Sequence, residues 1–308
     1  MELIWNALPR AEWDAFHRRH GGALQQAWAY GEAMHKLGVA VHRAAVMDQG
    51  RLVGLAQFVG RRWLGYIAMA SCSRGPVWAS EAEGALRHQA CRQMQRSLPM
   101  RPWRVTLFSP NVPTTALQPE ETRGLGRVMT GYSTVMLDLR PDLATLRQGL
   151  ESKWRNRLTR AENAHAQRVQ VRPKLEHALA LLVHERTMRE ARHFHGLPER
   201  FVPAYIEAHA QPAQAFTVSS VQQGDALLAG MLFLLHGRVA TYHMGWSSDA
   251  GRADNLHNLL LWKGLCQLKA QGITHLDLGG VNTHDLPGIS RFKLGTGGQV
   301  LTLAGTYF

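Results

Sequence analysis

The sequence predicts an α/β (α+β) chain built from two copies of one unit, each a mixed, mostly antiparallel sheet with flanking helices. Three observations predict it. The apolar periodicity gives three strands, a helix and a strand over residues 42–108, and the same order again over residues 215–277. Each half carries a Gln-Gly turn, at Gln49-Gly50 and Gln223-Gly224, with a small residue after the next apolar pair, Gly54 and Gly230. The offset between the halves is about 170 residues, the mark of an internal repeat. A length of 308 residues also exceeds one such unit and suits two of about 150 each. The expected domains are residues 1–140 and 141–308.

In the first half, Trp5, Leu8, Trp13 and Phe16 fall at helical spacing and predict a helix over residues 5–20, followed by a second over 25–37. Residues 42–47 and 52–59 read as a hairpin turning through Asp48-Gln49-Gly50, and 63–70 as a further strand. Ser73-Arg74-Gly75-Pro76 is a sharp turn. A helix over 81–98 and a strand over 104–108 complete the unit.

The second half opens on the most basic helix in the chain, over residues 150–171. Leu150, Trp154, Leu158 and Ala161 form its apolar stripe, and Lys153, Arg155, Arg157 and Arg160 surround that stripe. Such a face is either simply solvated or contacts an anion. Strands follow over 215–221, 227–235 (the central one) and 239–245, then a helix over 254–270. Ile273, His275, Asp277 and Gly279 alternate with Thr274, Leu276 and Leu278, which suits a buried strand ending at Gly279-Gly280 and turns Asp277 toward a site or a partner. A polar loop over 282–285 and Pro287-Gly288 lead to Arg291-Phe292-Lys293 and then to Gly295, Gly297 and Gly298. Read as extended, that tripeptide puts Arg291 and Lys293 on one face and Phe292 in the core.

The formal charge is +12 and the isoelectric point about 10.2, so the chain attracts polyanions: nucleic acid, anionic surfaces or phosphorylated substrates. With 45% hydrophobic and 19% charged residues, disorder is excluded. The longest apolar runs are about ten residues, short of the roughly 20 that span a bilayer. The N-terminus lacks a basic region ahead of an apolar one, so no signal peptide is expected and a cytoplasmic location is. Cys72, Cys91 and Cys266 are widely spaced with no CxxC, which speaks against zinc and a disulfide framework. Among sixteen histidines, His193-Phe194-His195 is the tightest pair, with no HExxH or second cluster beside it; no metal is expected.

A strand ending D-x-G-G, a Pro-Gly loop and then F-K-x-G-x-G-G resemble the C-terminal signature of the Fem-type aminoacyltransferases and related GNAT-superfamily N-acyltransferases. Three further stretches extend the resemblance over most of the chain. Q-A-W-A-Y-G, with Trp28 and Tyr30, resembles the family's early helix. S-R-G-P, with Arg74, resembles its first-half R-G-P turn, and K-W-R-N-R-L-T-R-A its basic helix opening the second domain. The resemblance implies tandem GNAT-like domains, aminoacyl-tRNA as the acyl donor with no cofactor, and an amine acceptor on a small molecule, peptide or cell-envelope precursor. It implies that Lys293 meets the 3′ end of the tRNA and stabilises the oxyanion. Contacts to the donor are expected from Arg291, Lys153, Arg155, Arg157 and Arg252, and to the acceptor from Arg74, Tyr30, Lys36 and Trp246. Met34 stands where family members that act on cell-wall precursors carry a basic residue, with His35 and Lys36 beside it.

The residues leave other chemistry open. An acyl-CoA enzyme cradles the donor's pyrophosphate on free amides ahead of its central helix. Here that stretch, residues 247–255, offers Arg252 and one glycine against two acids, Asp249 and Asp254, which is unfavourable for a pyrophosphate. An acyl-CoA-dependent transferase working on a polysaccharide, lipid or peptide precursor is the alternative reading. A non-catalytic RNA-binding protein is the second alternative, which the charge alone permits. His243, in the strand Tyr242-His243-Met244-Gly245-Trp246, is either a base for the amine or structural. Asp277 either holds the amine or caps the Gly279-Gly280 turn. With no G-x-S-x-G, a serine-nucleophile triad is not expected.

Overall fold

The computed structural model describes residues 1–63, 67–100, 103–192, 196–224, 226–282 and 286–308. In chain order the elements are β1 (Glu2–Trp5), α1 (Arg10–Arg19), α2 (Trp28–Lys36), β2 (Ala40–Asp48), β3 (Arg51–Trp63), β4 (Ile67–Ser73), β5 (Val77–Trp78), α3 (Gly84–Ser97), β6 (Trp103–Ser109) and β7 (Arg127–Met129). There follow β8 (Ser133–Asp138), α4 (Leu143–Gln148), α5 (Ser152–His165), β9 (Val169–Arg172), α6 (Leu175–Arg192), α7 (Phe201–Ala208), β10 (Phe216–Gln223), β11 (Ala226–His236) and β12 (Val239–Ser247). The chain ends with α8 (Asp249–Ala253), α9 (Leu256–Ala270), β13 (His275–Gly280), α10 (Pro287–Leu294), β14 (Gln299–Thr302) and β15 (Thr306–Tyr307).

These elements form two compact units. The first comprises Met1–Tyr132, Phe201–Ala210 and Thr302–Phe308; the second comprises Ser133–Arg200 and Gln211–Leu301. The first sheet runs β1-β2-β3-β4-β6-β15-β7, with β5 beside β3, and the second runs β14-β8-β13-β12-β11-β10-β9. Each unit has its own core. Trp13, Leu55, Phe58, Met94 and Phe108 are packed in the first, and Trp154, Leu158, Phe233, Leu259 and Leu276 in the second. This is the α/β tandem arrangement read from the sequence, with β11 inside its sheet as expected.

The repeat has a simple basis. Each sheet contains a parallel strand pair, β4 with β6 and β12 with β13, and a parallel pair needs a crossover helix. Those helices are α3 and α9. The β2–β3 hairpin closes on two residues, since Asp48 faces Arg51 and both Gln49 and Gly50 take positive φ, 48° and 74°. That is the turn whose twist suits a hairpin.

Three local expectations are corrected. The first helix does not start at Trp5: Glu2–Trp5 form a strand paired with Ala44–Met47, and the helix begins only after Pro9, so the apparent helical spacing of Trp5 and Leu8 crosses a strand end and a turn. The basic helix stops at His165, and Val169–Arg172 pair with β10, because the alternating Val169 and Val171 suit an edge strand. Arg291-Phe292-Lys293 is helical, in α10; Pro287 pre-sets the first helical position, and the three side chains fan around an axis instead of alternating. In the second hairpin, Asp225 lies outside the described residues.

Candidate active site

The two parallel strand pairs differ in a way that locates the site. β4 and β6 pair from Ile67↔Trp103 to Ser73↔Ser109, seven rungs without a break. β12 and β13 pair only from Val239↔His275 to Thr241↔Asp277, although β12 runs on to Ser247. The divergence coincides with a bulge. On the other side of β12, Phe233 faces Tyr242 while Leu232 faces Met244, so His243 is the extra residue. A bulge bends its strand and re-aims its side chains. Past Thr241 no further rung joins β12 to β13.

Asp277 sits at the last rung of the β12–β13 ladder. It is 4% exposed, and its Oδ1 accepts hydrogen bonds from Thr134 Oγ1 at 2.6 Å and from the Gly279 amide at 2.8 Å. The second bond caps the turn in which Gly279 adopts φ 74°, a conformation that favours glycine. Lys293 reaches in from α10. Its ammonium, on a residue 8% exposed, donates to the Gly280 carbonyl at 2.8 Å and lies 5.9 Å from the centre of the Tyr242 ring. Burial pulls Lys293 below the usual lysine range, and the Asp277 charge opposes that pull. The result is a cation held in a poorly solvated place near the end of the β12–β13 ladder, where a positive donor acts on developing negative charge more strongly than in water.

The sequence signals converge on holding this lysine. Trp154 Nε1 donates to the Phe292 carbonyl at 3.0 Å, its ring lies 5.9 Å from that of Phe292, and the Glu151 amide donates to the Gly295 carbonyl at 2.9 Å. Thus α5 clamps α10. Gly297, at φ 76°, lies so close to the Gly149 carbonyl that a Cβ has no room. Tyr242 is the residue here that the sequence did not single out as a site residue. Its hydroxyl sits over Gly245, again leaving no space for a Cβ, and burial raises its pKa. A bulge leaves no mark in composition, and only the Tyr-x-x-Gly spacing hinted at it. Thr134, on β8, was equally unmarked.

The other expected residues are distributed as follows. His243 is half-buried at the bulge. Trp246 stacks on His184 at 3.9 Å. Arg252 is engaged by the Asp249 carboxylate and the Ser247 carbonyl. At the same turn Ser248 Oγ accepts from the Gly251 amide at 3.1 Å. Lys153, Arg157 and Arg291 are exposed, and Arg155 donates to the Gln148 carbonyl at 3.2 Å. On α5, Lys153, Arg157 and Arg160 fall on one exposed face.

Tyr30, Lys36 and Arg74 belong to the first unit. Tyr30 is buried with its ring 5.2 Å from that of Phe201, and burial pushes its hydroxyl up to about 12. Lys36 pairs with Glu207 at 2.7 Å. Arg74, 8% exposed and at φ 51°, donates to Asn111 Oδ1 at 2.7 Å and to the Tyr132 hydroxyl at 3.2 Å. The Q-A-W stretch supports that turn from below. Gln26 Nε2 donates to the Ser73 carbonyl at 2.8 Å, Gln26 Oε1 accepts from the Gln57 amide at 2.8 Å, and Arg43 lies over Trp28. Among the described residues no group of His, Cys, Asp and Glu is placed to hold a metal ion; His193-Phe194-His195 lies outside them. No helix among the described residues is long and apolar enough to cross a membrane.

Residues 147–294 match the family model of an acetyltransferase (GNAT) domain, a span that starts at the end of α4 and ends on α10, just past Lys293. No curated protein matches the chain. Among solved structures, FemX superposes with a TM-score of 0.83 at 16% identity, covering 100% of this chain and 96% of its own. A conserved protein of unknown function from Bacteroides thetaiotaomicron gives 0.64 at 13% identity, covering 99% and 98%. L-PGS from Bacillus licheniformis gives 0.56 at 12% identity, covering 97% and 91%. The likeness shows a shared fold along the whole chain.

Proposed function

From a GNAT-type acyltransferase domain on the tandem fold that FemX also has, we propose that this N-acyltransferase moves an aminoacyl group from charged tRNA to an amine. The observation that carries the reading is the buried ammonium of Lys293, held on the Gly280 carbonyl just past the last rung of β12 and β13. The ester of an aminoacyl-tRNA is already activated, so the protein has only to orient the amine, accept its proton and stabilise the oxyanion. Lys293 Nζ is the donor to that oxyanion. Asp277 fixes the Gly279-Gly280 turn that holds Lys293, and its charge opposes the burial that lowers the lysine. His243, at the bulge, is the candidate for taking the proton from the amine and passing it to the ribose oxygen of the tRNA, which leaves as a hydroxyl when the ester C–O bond breaks and the new C–N bond remains. The exposed stripe Lys153, Arg157 and Arg160, with Arg291, meets the phosphates of the tRNA.

Two features favour this donor over acyl-CoA. The guanidinium of Arg252 is already engaged by Asp249, and Ser248 occupies an amide at the turn where a pyrophosphate needs free N–H groups. The acyl-CoA reading rests on the matched family's description as acetyltransferases. Calorimetry and filter binding on the purified chain separate the two. Aminoacylated tRNA binds with an affinity that falls steeply with salt, through counterion release, and acetyl-CoA shows no saturable binding. Micromolar acetyl-CoA binding without a tRNA effect overturns the proposal in favour of acyl-CoA.

A further inference from the structure

Helix α6 has an inner face that is fully accounted for. His177, Ala178, Leu181 and Leu182 are buried. His177 Nδ1 lies 3.0 Å from Ser220 Oγ, Leu181 fills the space over Gly230 of β11, and the His184 ring stacks on Trp246. Phe233, three residues beyond Gly230 on β11 and so facing the other way, packs on Gly264 of α9. The layer of α5 and α9 therefore covers one face of the second sheet and α6 the opposite one.

The outer face of α6 is different. From Leu175 to Thr187 the exposed residues are Leu175, Glu176, Leu179, Val183, Arg186 and Thr187. Leu175, Leu179 and Val183 are 44%, 42% and 48% exposed, an aliphatic stripe where a solvated helix face carries polar residues. Glu176, Leu179, Val183 and Arg186 follow one another at intervals of three, four and three, the seam spacing of a coiled coil.

The order of residues along that seam selects the occupant. Laid against its own reverse, the seam sets acid on base and aliphatic on aliphatic. In an antiparallel pair centred on Leu181, Leu179 lies level with Val183 of the second copy and Glu176 with its Arg186, and the two-fold axis makes each contact twice, as an isologous interface requires. A parallel pair sets glutamate on glutamate and arginine on arginine. Within one copy the same charges are weakly engaged: Glu176 meets Lys174, and Arg186 meets Glu199, each at 3.5 Å, and exposed pairs of this kind contribute little. We propose that two copies of this chain associate through antiparallel α6 helices, with Leu179 and Val183 at the centre and two Glu176–Arg186 ion pairs at the ends.

Four seam residues a side bury less than the roughly 800 Å² per partner of a standard interface, so the dimer is weak and sedimentation equilibrium of the full chain needs concentrations up to about 500 µM. Wild type should show a reversible monomer–dimer equilibrium. Leu179→Asp, a change on an exposed side chain that leaves the fold intact, should abolish it. Glu176→Arg and Arg186→Glu, each alone, set like charges opposite one another and should weaken self-association about tenfold or more. An equimolar mixture of those two variants should associate at least as well as wild type, because each copy then offers the charges the other lacks. A wild-type chain that stays monomeric, a dimer unaffected by Leu179→Asp, or a mixture that associates no better than either charge variant alone each overturns the proposal. The experiment involves neither tRNA nor Lys293, so its outcome is independent of the transfer reaction proposed above.

Discussion

Replacing Lys293 by methionine separates a catalytic ammonium from a structural one. The substitution removes the bond to the Gly280 carbonyl, a charge-assisted contact with a net value of about 1.5–3 kcal/mol. It also removes the cost of holding a charge on a residue only 8% exposed, the burial that depresses its pKa. The two effects oppose each other, so stability should change by no more than about 1 kcal/mol, or about 2–4 °C in Tm for a chain of this size. The single-turnover rate of aminoacyl transfer at saturating donor should fall about 10²-fold or more, as expected for losing one oxyanion donor. Lys293→Arg should restore part of it, because a planar guanidinium replaces a compact ammonium. Turnover within about twofold of wild type refutes the role. A fall in tRNA affinity with an unchanged single-turnover rate makes Lys293 a phosphate contact instead.

The remaining predictions use the same elements. Because burial lowers Lys293 below its usual 10.5, the ammonium is lost as pH rises through that lowered value, so wild-type turnover should decline on the alkaline side before pH 10.5. Stability moves the opposite way: the cost of the buried charge is full below the folded pKa and is relieved as pH climbs toward 10.5, so wild-type Tm should gain on that of Lys293→Met across this window. Asp277→Asn should shift the alkaline decline to lower pH, since the Asp277 charge is what raises the lysine; an unshifted pH–rate profile rules that coupling out. Trp154→Ala should cost about 3–5 kcal/mol in denaturant unfolding through lost core and the lost bond to Phe292, and a cost under about 1 kcal/mol contradicts the clamp. The triple substitution of Lys153, Arg157 and Arg160 by alanine should leave Tm nearly unchanged and reduce the slope of log Kd against log salt for tRNA by about 2; an unchanged slope removes α5 from the interface.

Much of this architecture is legible in the sequence, and the exceptions have physical causes. The hairpins, the crossover helices and the β13 strand follow from alternation and turn residues, which are local. The Asp277 cap and the Lys293 motif are readable because glycines at φ above zero constrain what surrounds them. The α10 helix was missed because Arg-Phe-Lys between glycines has the same alternation as a strand, and only Pro287 at its first turn marks it. The strand β1 was missed because its partner, β2, lies some forty residues away, and pairing at that distance leaves no periodic trace. The decisive feature of the site, the early separation of β12 from β13 at the His243 bulge, is a difference in register between two otherwise similar strand pairs. Side-chain patterns set which face is buried and say little about where a parallel ladder ends.

If Lys293 is the oxyanion donor, the aminoacyl carbonyl lies beside it, past the end of the β12–β13 ladder. A crystal structure with a short acceptor-stem RNA, its 3′-terminal adenosine carrying the amino acid through a stable amide, tests this directly. The aminoacyl carbonyl oxygen should then lie within hydrogen-bond reach of Lys293 Nζ, about 2.7–3.1 Å, with the RNA backbone along the α5 face bearing Lys153 and Arg157. An aminoacyl group seated away from the end of the β12–β13 ladder, or near it with Lys293 still bonded to Gly280 and more than about 5 Å from the carbonyl, contradicts this role.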